Sequence, residues 1–208
     1  MSTKLKITAL SVLWLVLGLV TSPLQAEDSL PPDQLVKQTS DRVLKALETE
    51  KTKIDNEPNY VYRLIDEIVL PHMDFEGMAK LAMGRHWRDA DDQQRAQFTQ
   101  EFRTLLVRTY SKSLTEFTGL KINYLPFRSR PGDKQATVRS EVEQSGSFPI
   151  PIEYTLHLKD GGWKVFDISI DGISLVTNYR SSFAREVREK GIDGLIKVLA
   201  DRNAQGLS

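Results

Sequence analysis

The spacing of the apolar residues changes once along this chain, near Gly119, and this change restricts the possible folds. Before Gly119 the apolar positions recur at the three- and four-residue steps of an α-helix, whereas after it they alternate with polar residues as in a β-strand. Helices followed by consecutive strands predict an α+β protein. The expected architecture is an antiparallel sheet of about four strands, apolar on one face and wrapped by amphipathic helices.

Four helices are predicted before the change of spacing and two after the strands. The longest follows Asp91, and its apolar stripe runs from Phe98 to Phe117 before Gly119 ends it. Pro71 and Gly84 end two of the shorter ones, since both residue types stop helices. The six predicted helices cover approximately residues 33–53, 59–69, 75–83, 92–118, 174–189 and 193–199.

The strands alternate apolar and polar side chains, and the last one changes phase. They are predicted over residues 120–124, 136–142, 150–158 and 163–170. The sequence Asp160-Gly161-Gly162 is typical of a hairpin turn between the last two. In the last strand, Val165 points to one side and Phe166 and Ile168 to the other. A β-bulge, or burial of both faces of the strand, would account for apolar residues on both sides.

The inward face of the sheet carries no ionisable side chain in its three most regular strands. Those strands place on it Leu120, Ile122, Tyr124, Ala136, Val138, Ser140, Val142, Ile150, Ile152, Tyr154, Leu156 and Leu158. General acid–base catalysis would need an ionisable group on this face, and Asp167 is a candidate if the last strand turns Trp163 inward. The small side chains of Ala136 and Ser140 either leave room for a ligand or let the helices pack closer.

The first 26 residues have the pattern of a secretory signal peptide. Lys4 and Lys6 precede an apolar run at residues 7–20, about 14 residues long, which suits such a peptide. A membrane-spanning helix needs about 20 apolar residues. Ala26 is a small residue suited to cleavage. We therefore expect a cleaved signal peptide over residues 1–26, a single domain over residues 27–208, and a protein that works outside the cytoplasm.

Composition excludes several further classes of protein. The chain has no cysteine, so it can carry neither a disulfide nor the lipid-modified cysteine of a bacterial lipoprotein. Its formal net charge is zero, which argues against a general nucleic-acid-binding protein, because such proteins need a cationic surface. About 180 residues are enough to build a core without a disulfide.

The candidate catalytic and metal-ligating residues are few. His157 falls on the polar face of its strand, which favours a solvated histidine. His86 lies near Asp89, Asp91 and Asp92, but these carboxylates are better explained as helix-capping charges than as metal ligands. The short basic segment at residues 85–88 is compatible with phosphate binding or with a core tryptophan, Trp87, between solvated arginines. We expect no metal and no cofactor.

Two blocks of the sequence resemble a known family. Residues 73–114 read MDFEGMAKLAMGRHWRDADDQQRAQFTQEFRTLLVRTYSKSL, and residues 171–199 read DGISLVTNYRSSFAREVREKGIDGLIKVL. Both resemble the MlaC (toluene-tolerance) family of periplasmic phospholipid-binding proteins, and the similarity extends from about Asp41 to Leu199. The resemblance implies a cone-shaped sheet like that of nuclear-transport-factor-like domains. It also implies a pocket between sheet and helices that takes the acyl chains of a phospholipid.

The same resemblance implies a function and a set of partners. Members of the family carry lipid between the membranes of a Gram-negative envelope and so maintain the lipid asymmetry of the outer membrane. They exchange lipid with an inner-membrane ABC transporter, through its mammalian-cell-entry ring, and with an outer-membrane lipoprotein–porin complex. Tyr110 matches a family tyrosine near the mouth of the pocket. The lipid-binding residues expected here are Met78, Leu106, Tyr110, Leu114, Val138, Ile152, Tyr154, Leu156, Val165, Ile173, Val176 and Tyr179.

Two alternative functions differ from lipid transport in what they require of the structure. A cone-fold enzyme acting on an apolar small molecule needs Asp167 or His157 inside the pocket. A periplasmic module that binds a partner protein needs an exposed apolar patch over a closed core, with no internal cavity. The resemblance favours a soluble periplasmic phospholipid carrier that is not an enzyme.

Overall fold

The computed structural model describes residues 30–57, 59–115, 118–130, 132–144 and 146–205, and the predicted signal peptide lies outside these ranges. The first half of the described chain is helical, as the sequence predicts. It contains the helices α1 (Pro32–Thr49), α2 (Lys51–Asn56), α3 (Tyr60–Ile68), α4 (Phe75–Met83), α5 (His86–Asp89) and α6 (Asp92–Leu114), with a 3-10 turn at Leu70–His72. The predicted first helix is divided in two at Glu50.

The second half forms one antiparallel sheet, which has five strands in sequential order rather than about four. They are β1 (Ile122–Tyr124), β2 (Gln135–Val142), β3 (Ile150–Lys159), β4 (Gly162–Ile170) and β5 (Ile173–Ser174). The predicted helix from residue 174 therefore begins too early, because β5 and a 3-10 turn at Thr177–Tyr179 precede α7 (Arg180–Gln205). Gly191 interrupts α7 with φ 74°, at the boundary between the two predicted C-terminal helices.

A β-bulge explains the changing phase of β4. Thr155 of β3 pairs with Asp167, but the next residue, Leu156, pairs with Val165. Phe166 is therefore an extra residue in β4, which confirms the bulge as the correct alternative. Because the bulge shifts the alternation by one, Val165 and Ile168 can face the same side of the sheet.

The segment before α4 covers part of the edge of β4. Met73 forms a parallel bridge with Val165, and the N–H of Asp74 donates a 2.8 Å hydrogen bond to the Val165 carbonyl. An uncovered edge would leave backbone groups unpaired. The same hydrogen bond fixes where α4 begins, since Asp74 is its N-cap residue.

Helices α4, α6 and α7 pack around an aromatic centre. Phe98, Phe102, Tyr179 and Phe183 contact one another with ring centroids 5.3–5.6 Å apart, and both Phe98 and Phe102 are fully buried. Such contacts stabilise beyond the area they bury. Trp87 is also buried in this cluster, which supports the core interpretation of the segment at residues 85–88. Among the described helices, none is both long and apolar enough to cross a membrane.

Gly77 is required by the packing of α4 against β4. A Cβ at this position would lie 2.5 Å from Oδ2 of Asp74 and 3.2 Å from Cβ of Phe166. In an ordinary helix, glycine to alanine is stabilising by about 1 kcal/mol. Here we expect Gly77→Ala to destabilise the protein by about 1–3 kcal/mol, because Asp74 must move. Urea denaturation of the mature protein measures this change. A gain in stability would contradict the proposed packing.

Candidate binding cavity

An apolar cavity of about 260 Å³ lies between the sheet and the helices. A single buried water needs about 10–15 Å³, so this cavity is much larger than a packing defect. Its walls come from α1, the segment joining α3 to α4, α4 and α6 on one side, and from β1, β3, β4 and the segment after β5 on the other. The cavity therefore lies at the interface between the two layers of the fold.

The described lining of the cavity contains no Asp, Glu, Lys or Arg. Its polar side chains are Thr39, Ser40, His72, Tyr110, Ser111, Ser113 and Tyr154. The remaining lining residues are aliphatic, methionine or phenylalanine. Because transfer of an unpaired charge into such surroundings is very costly, the interior of the cavity suits hydrocarbon rather than an ionic group.

Eight of the twelve residues predicted to bind lipid line the cavity. They are Met78, Leu106, Tyr110, Leu114, Ile152, Tyr154, Val165 and Val176. Ile152 is in the middle strand of the sheet and Leu106 is in α6, so the two layers contribute opposite walls. The structure thus brings together residues from both blocks of the sequence that carry the family resemblance and from the sheet between them.

The other four predicted residues lie away from the cavity lining. Val138 and Leu156 are on the inner face but pack against Leu35 and Val36 of α1, which cover this part of the sheet. Ile173 is 60% exposed at the start of β5. Tyr179 belongs to the aromatic centre described above.

Sequence reasoning missed the contribution of several other segments. From α1 the cavity takes Thr39, Ser40, Val43 and Leu44, and from the segment after α3 it takes Val69, Leu70, His72 and Met73. Val43 and Leu44 belong to the helical apolar spacing of this segment, which was the available signal, whereas the polar Thr39 and Ser40 do not. The segment after α3 is too short to show a period. Ile168 and Ile170 line the cavity because of the bulge in β4.

Tyr110 and Tyr179 form a pair of hydroxyl groups beside the cavity. Burial raises the pKa of Tyr110 above its ordinary value, and the Tyr179 hydroxyl, within hydrogen-bonding reach, raises it further. Tyr110 therefore remains a neutral phenol at physiological pH. A neutral hydroxyl contributes hydrogen bonding at this wall without adding charge.

Neither candidate catalytic residue lines the cavity. The side chain of His157 is 25% exposed rather than fully solvated, and its Nε2 lies 2.8 Å from Oδ2 of Asp74. Asp167 accepts a 2.7 Å hydrogen bond from Oγ of Ser174, and burial raises its pKa. Both belong to polar contacts outside the cavity. The enzyme hypothesis therefore loses the two residues on which it depends.

The remaining histidines offer no catalytic or metal centre in the part of the chain that the structure describes. His72 lines the cavity, and burial together with the charges of Lys164 and Arg42 lowers its pKa, so the imidazole is neutral at pH 7. No described carboxylate lines the cavity to orient it. Nδ1 of His86 lies 3.7 Å from Oδ2 of Asp89, but the described residues contain no group of three metal-ligating side chains.

The fold and the cavity define a class of protein: an α+β domain with an internal, uncharged cavity between a sheet and its helices. The sequence model of the MlaC protein family matches residues 37–201, and the chain belongs to this family. The match covers both blocks that carry the resemblance and most of the described chain.

Individual relatives agree with this membership. The chain is 28% identical over 180 residues to the toluene tolerance protein Ttg2D of Pseudomonas putida, covering 86% of this chain and 83% of that protein. It is 25% identical over 190 residues to the intermembrane phospholipid transport system binding protein MlaC of Haemophilus influenzae, covering 90% and 88%.

A solved structure shares the fold at higher sequence identity. The phospholipid-binding protein of Ralstonia solanacearum, solved in complex with a phospholipid, is 33% identical and superposes with a TM-score of 0.77. The match covers 85% of this chain and 98% of that protein. Fold and family therefore agree across the described domain.

Proposed function

We propose that this chain is a periplasmic phospholipid carrier whose cavity holds acyl chains. The observation that carries the proposal is the uncharged cavity of about 260 Å³ between the two layers. The solved relative from Ralstonia solanacearum, in complex with a phospholipid, supports it. Acyl chains would lie between α6 and the sheet, with the polar head group towards solvent.

The energetics of transfer explain why such a cavity needs no charged clamp. Removing a diacyl lipid with about 30 methylenes from water is favourable by roughly 25 kcal/mol. A bilayer offers nearly the same gain, so a carrier competes with membranes only if its cavity is comparably apolar. Strong fixed contacts with the head group would slow release. The uncharged lining fits exchange rather than permanent binding.

We further propose that the protein shuttles lipid across the periplasm. Its partners would be an inner-membrane ABC transporter with a mammalian-cell-entry ring and an outer-membrane lipoprotein–porin complex, and its role would be to maintain outer-membrane lipid asymmetry. The predicted signal peptide over residues 1–26 supports export. The relative from Haemophilus influenzae is the binding protein of an intermembrane phospholipid transport system, which supports this role.

The protein-interaction alternative fits the structure less well. A module that presents an apolar patch to a partner protein requires a closed core, whereas this domain contains a large internal cavity. The enzyme alternative requires Asp167 or His157 in the cavity, and neither residue lines it. Lipid carriage uses the cavity directly.

A vesicle exchange assay tests the proposed function. Donor vesicles carry a fluorescent diacyl phospholipid, and the mature protein is added in increasing amounts with unlabelled acceptor vesicles. We expect the transfer rate to rise in proportion to protein concentration, since each molecule carries its own lipid. Transfer no faster than in protein-free controls, at any protein concentration, would contradict the proposal.

A further inference from the structure

Four hydroxyl groups meet at the wall of the cavity, where α1 packs on the sheet. Ser40 of α1 and Tyr154 of β3 line the cavity. Tyr124 of β1 pairs across the sheet with Ser140 of β2. The Ser40 hydroxyl lies within hydrogen-bonding reach of both tyrosine hydroxyls, and Tyr154 also reaches Ser140. We call Ser40, Tyr124, Ser140 and Tyr154 the hydroxyl cluster.

The hydroxyl cluster does not satisfy its own hydrogen-bonding capacity. Oη of Tyr124 and Oγ of Ser140 are buried, and neither makes a well-aligned hydrogen bond with any residue that the structure describes. Ser140 is only 1% exposed. Buried polar atoms without partners are uncommon because each one destabilises the protein. Neither of these two residues lines the cavity, but Ser40 and Tyr154 do, so a ligand oxygen in the cavity would join the cluster through the Ser40 and Tyr154 hydroxyls.

The charges around the hydroxyl cluster favour a neutral ligand group. Nζ of Lys37 lies 5.4 Å from the centre of the Tyr124 ring, but this ammonium is paired with Asp41 on the next turn of α1. Burial raises the pKa of Tyr124 to about 12, so its hydroxyl keeps the proton and can donate it in a hydrogen bond. A phosphate would favour unpaired cations, whereas a carbonyl oxygen needs neutral donors such as these.

The hydroxyl cluster lies at the boundary between solvent and hydrocarbon. On one side of it the Lys37 and Asp41 side chains are about half exposed. On the other side Ile122 and Ile152, neighbours of Tyr124 and Tyr154 on their strands, line the apolar cavity. A diacyl phospholipid has the same order of groups, because its glycerol esters separate a polar head from hydrocarbon chains.

We propose that the hydroxyl cluster donates hydrogen bonds to an ester carbonyl oxygen of the bound lipid and makes the protein prefer ester-linked to ether-linked phospholipids. This inference rests on the proposed function, which supplies the diacyl lipid. It assigns chemical selectivity to the linkage region of the lipid, independent of the head group. Ether linkages lack the carbonyl oxygen, so they would leave the buried hydroxyls without a partner.

A competition experiment tests the selectivity. Vesicles contain equal amounts of a diester and a diether phospholipid with the same head group and the same chain length. The mature protein is incubated with them and re-isolated, and its bound lipid is identified by native mass spectrometry. We expect the wild-type protein to hold the diester form in about fivefold excess, the ratio that one net hydrogen bond provides.

Conservative variants show which residues form the hydrogen bonds that distinguish the ester from the ether. Tyr154→Phe and Ser40→Ala each remove a hydroxyl from the cluster and are expected to bring the ratio close to one. Tyr60→Phe is the matched control, because its hydroxyl contacts Glu50 and does not line the cavity, and it should keep the wild-type ratio. Thermal unfolding of each variant checks that it is folded. If Tyr154→Phe does not fold, the comparison is made with Ser40→Ala alone.

Each outcome of the competition has one meaning. If the wild-type protein binds both lipids equally, the inference fails while the proposed function stands. If the wild-type preference persists in both cluster variants, the ester is recognised elsewhere and the inference also fails. If the protein takes up neither lipid, the proposed function itself fails.

Discussion

Ile152→Trp is expected to lower the amount of phospholipid bound at equilibrium by about tenfold or more. Ile152 is in the middle strand of the sheet and faces the cavity. An indole there would occupy space that acyl chains need, and overfilling a packed site costs about 1–3 kcal/mol. Each 1.4 kcal/mol is a factor of ten in affinity. The loss should therefore be large even with no polar contact changed.

The thermal stability of Ile152→Trp shows whether lipid binding is lost because the cavity is filled or because the protein no longer folds. Because the indole enters existing space, the midpoint of thermal unfolding should remain within a few degrees of wild type. Leu158→Trp is the matched control on the same strand, since Leu158 is 43% exposed and does not line the cavity. Bound lipid is measured by extraction and phosphate analysis after incubation with vesicles. Normal loading of the folded Ile152→Trp protein would show that the lipid binds elsewhere.

Asp74→Ala is expected to destabilise the domain by about 3 kcal/mol, because it removes the hydrogen bond from Lys159, which joins two charged groups and contributes about 1.5–3 kcal/mol, and the hydrogen bond from the backbone N–H of Gly77. Asp74 is 6% exposed, and its carboxylate lies 2.8 Å from Nε2 of His157 and 2.9 Å from Nζ of Lys159. These contacts attach the start of α4 to the outer face of the sheet. Among the described residues, Lys159 would then remain paired with the exposed Glu76, whose Oε2 lies 3.2 Å from Nζ of the lysine.

Thermal and urea denaturation measure the effect of Asp74→Ala. For a domain of this size, 3 kcal/mol corresponds to a fall in Tm of roughly 6–12 °C. Glu76→Ala is the matched control: it removes an exposed carboxylate from the same lysine and should cost less than about 1 kcal/mol. Equal losses in the two variants would show that Asp74 is no more than a surface partner of Lys159.

The same carboxylate gives the stability a dependence on acid pH. Burial alone would raise the pKa of Asp74, but the hydrogen bond from Lys159, the backbone N–H of Gly77 and the nearby His157 together hold it below its usual value. The folded pKa is therefore lower than the unfolded one, near 3.9. This contribution is complete above the unfolded pKa and is lost as the pH falls through the folded value. Asp74→Ala should lack this part of the acid transition.

The sequence pattern predicts most helices and strands because their apolar faces are long enough to show a period. It also predicts that Ile152, Leu156 and Val138 share the inner face, and they do. It does not show what covers that face. Leu35 and Val36 of α1 pack over Val138 and Leu156, whereas Ile152 lines the cavity.

Other features depend on contacts between distant parts of the chain. β5 has two residues, too few to display an alternation. Asp74 and His157 are 83 positions apart, so no local spacing reveals the contact between them. The bulge at Phe166 was one of two explanations for the phase of β4, and its pairing with β3 was needed to choose between them.

Native mass spectrometry of the mature protein, purified from a Gram-negative envelope, tests most directly whether the cavity carries phospholipid. The expected spectrum shows an additional mass equal to one or more phospholipids, which is lost after organic extraction and reports the head group and the number of chains. Ile152→Trp, purified in the same way, should show mostly the lipid-free mass. A lipid-free wild-type protein that also takes up no phospholipid from added vesicles would contradict the carrier function.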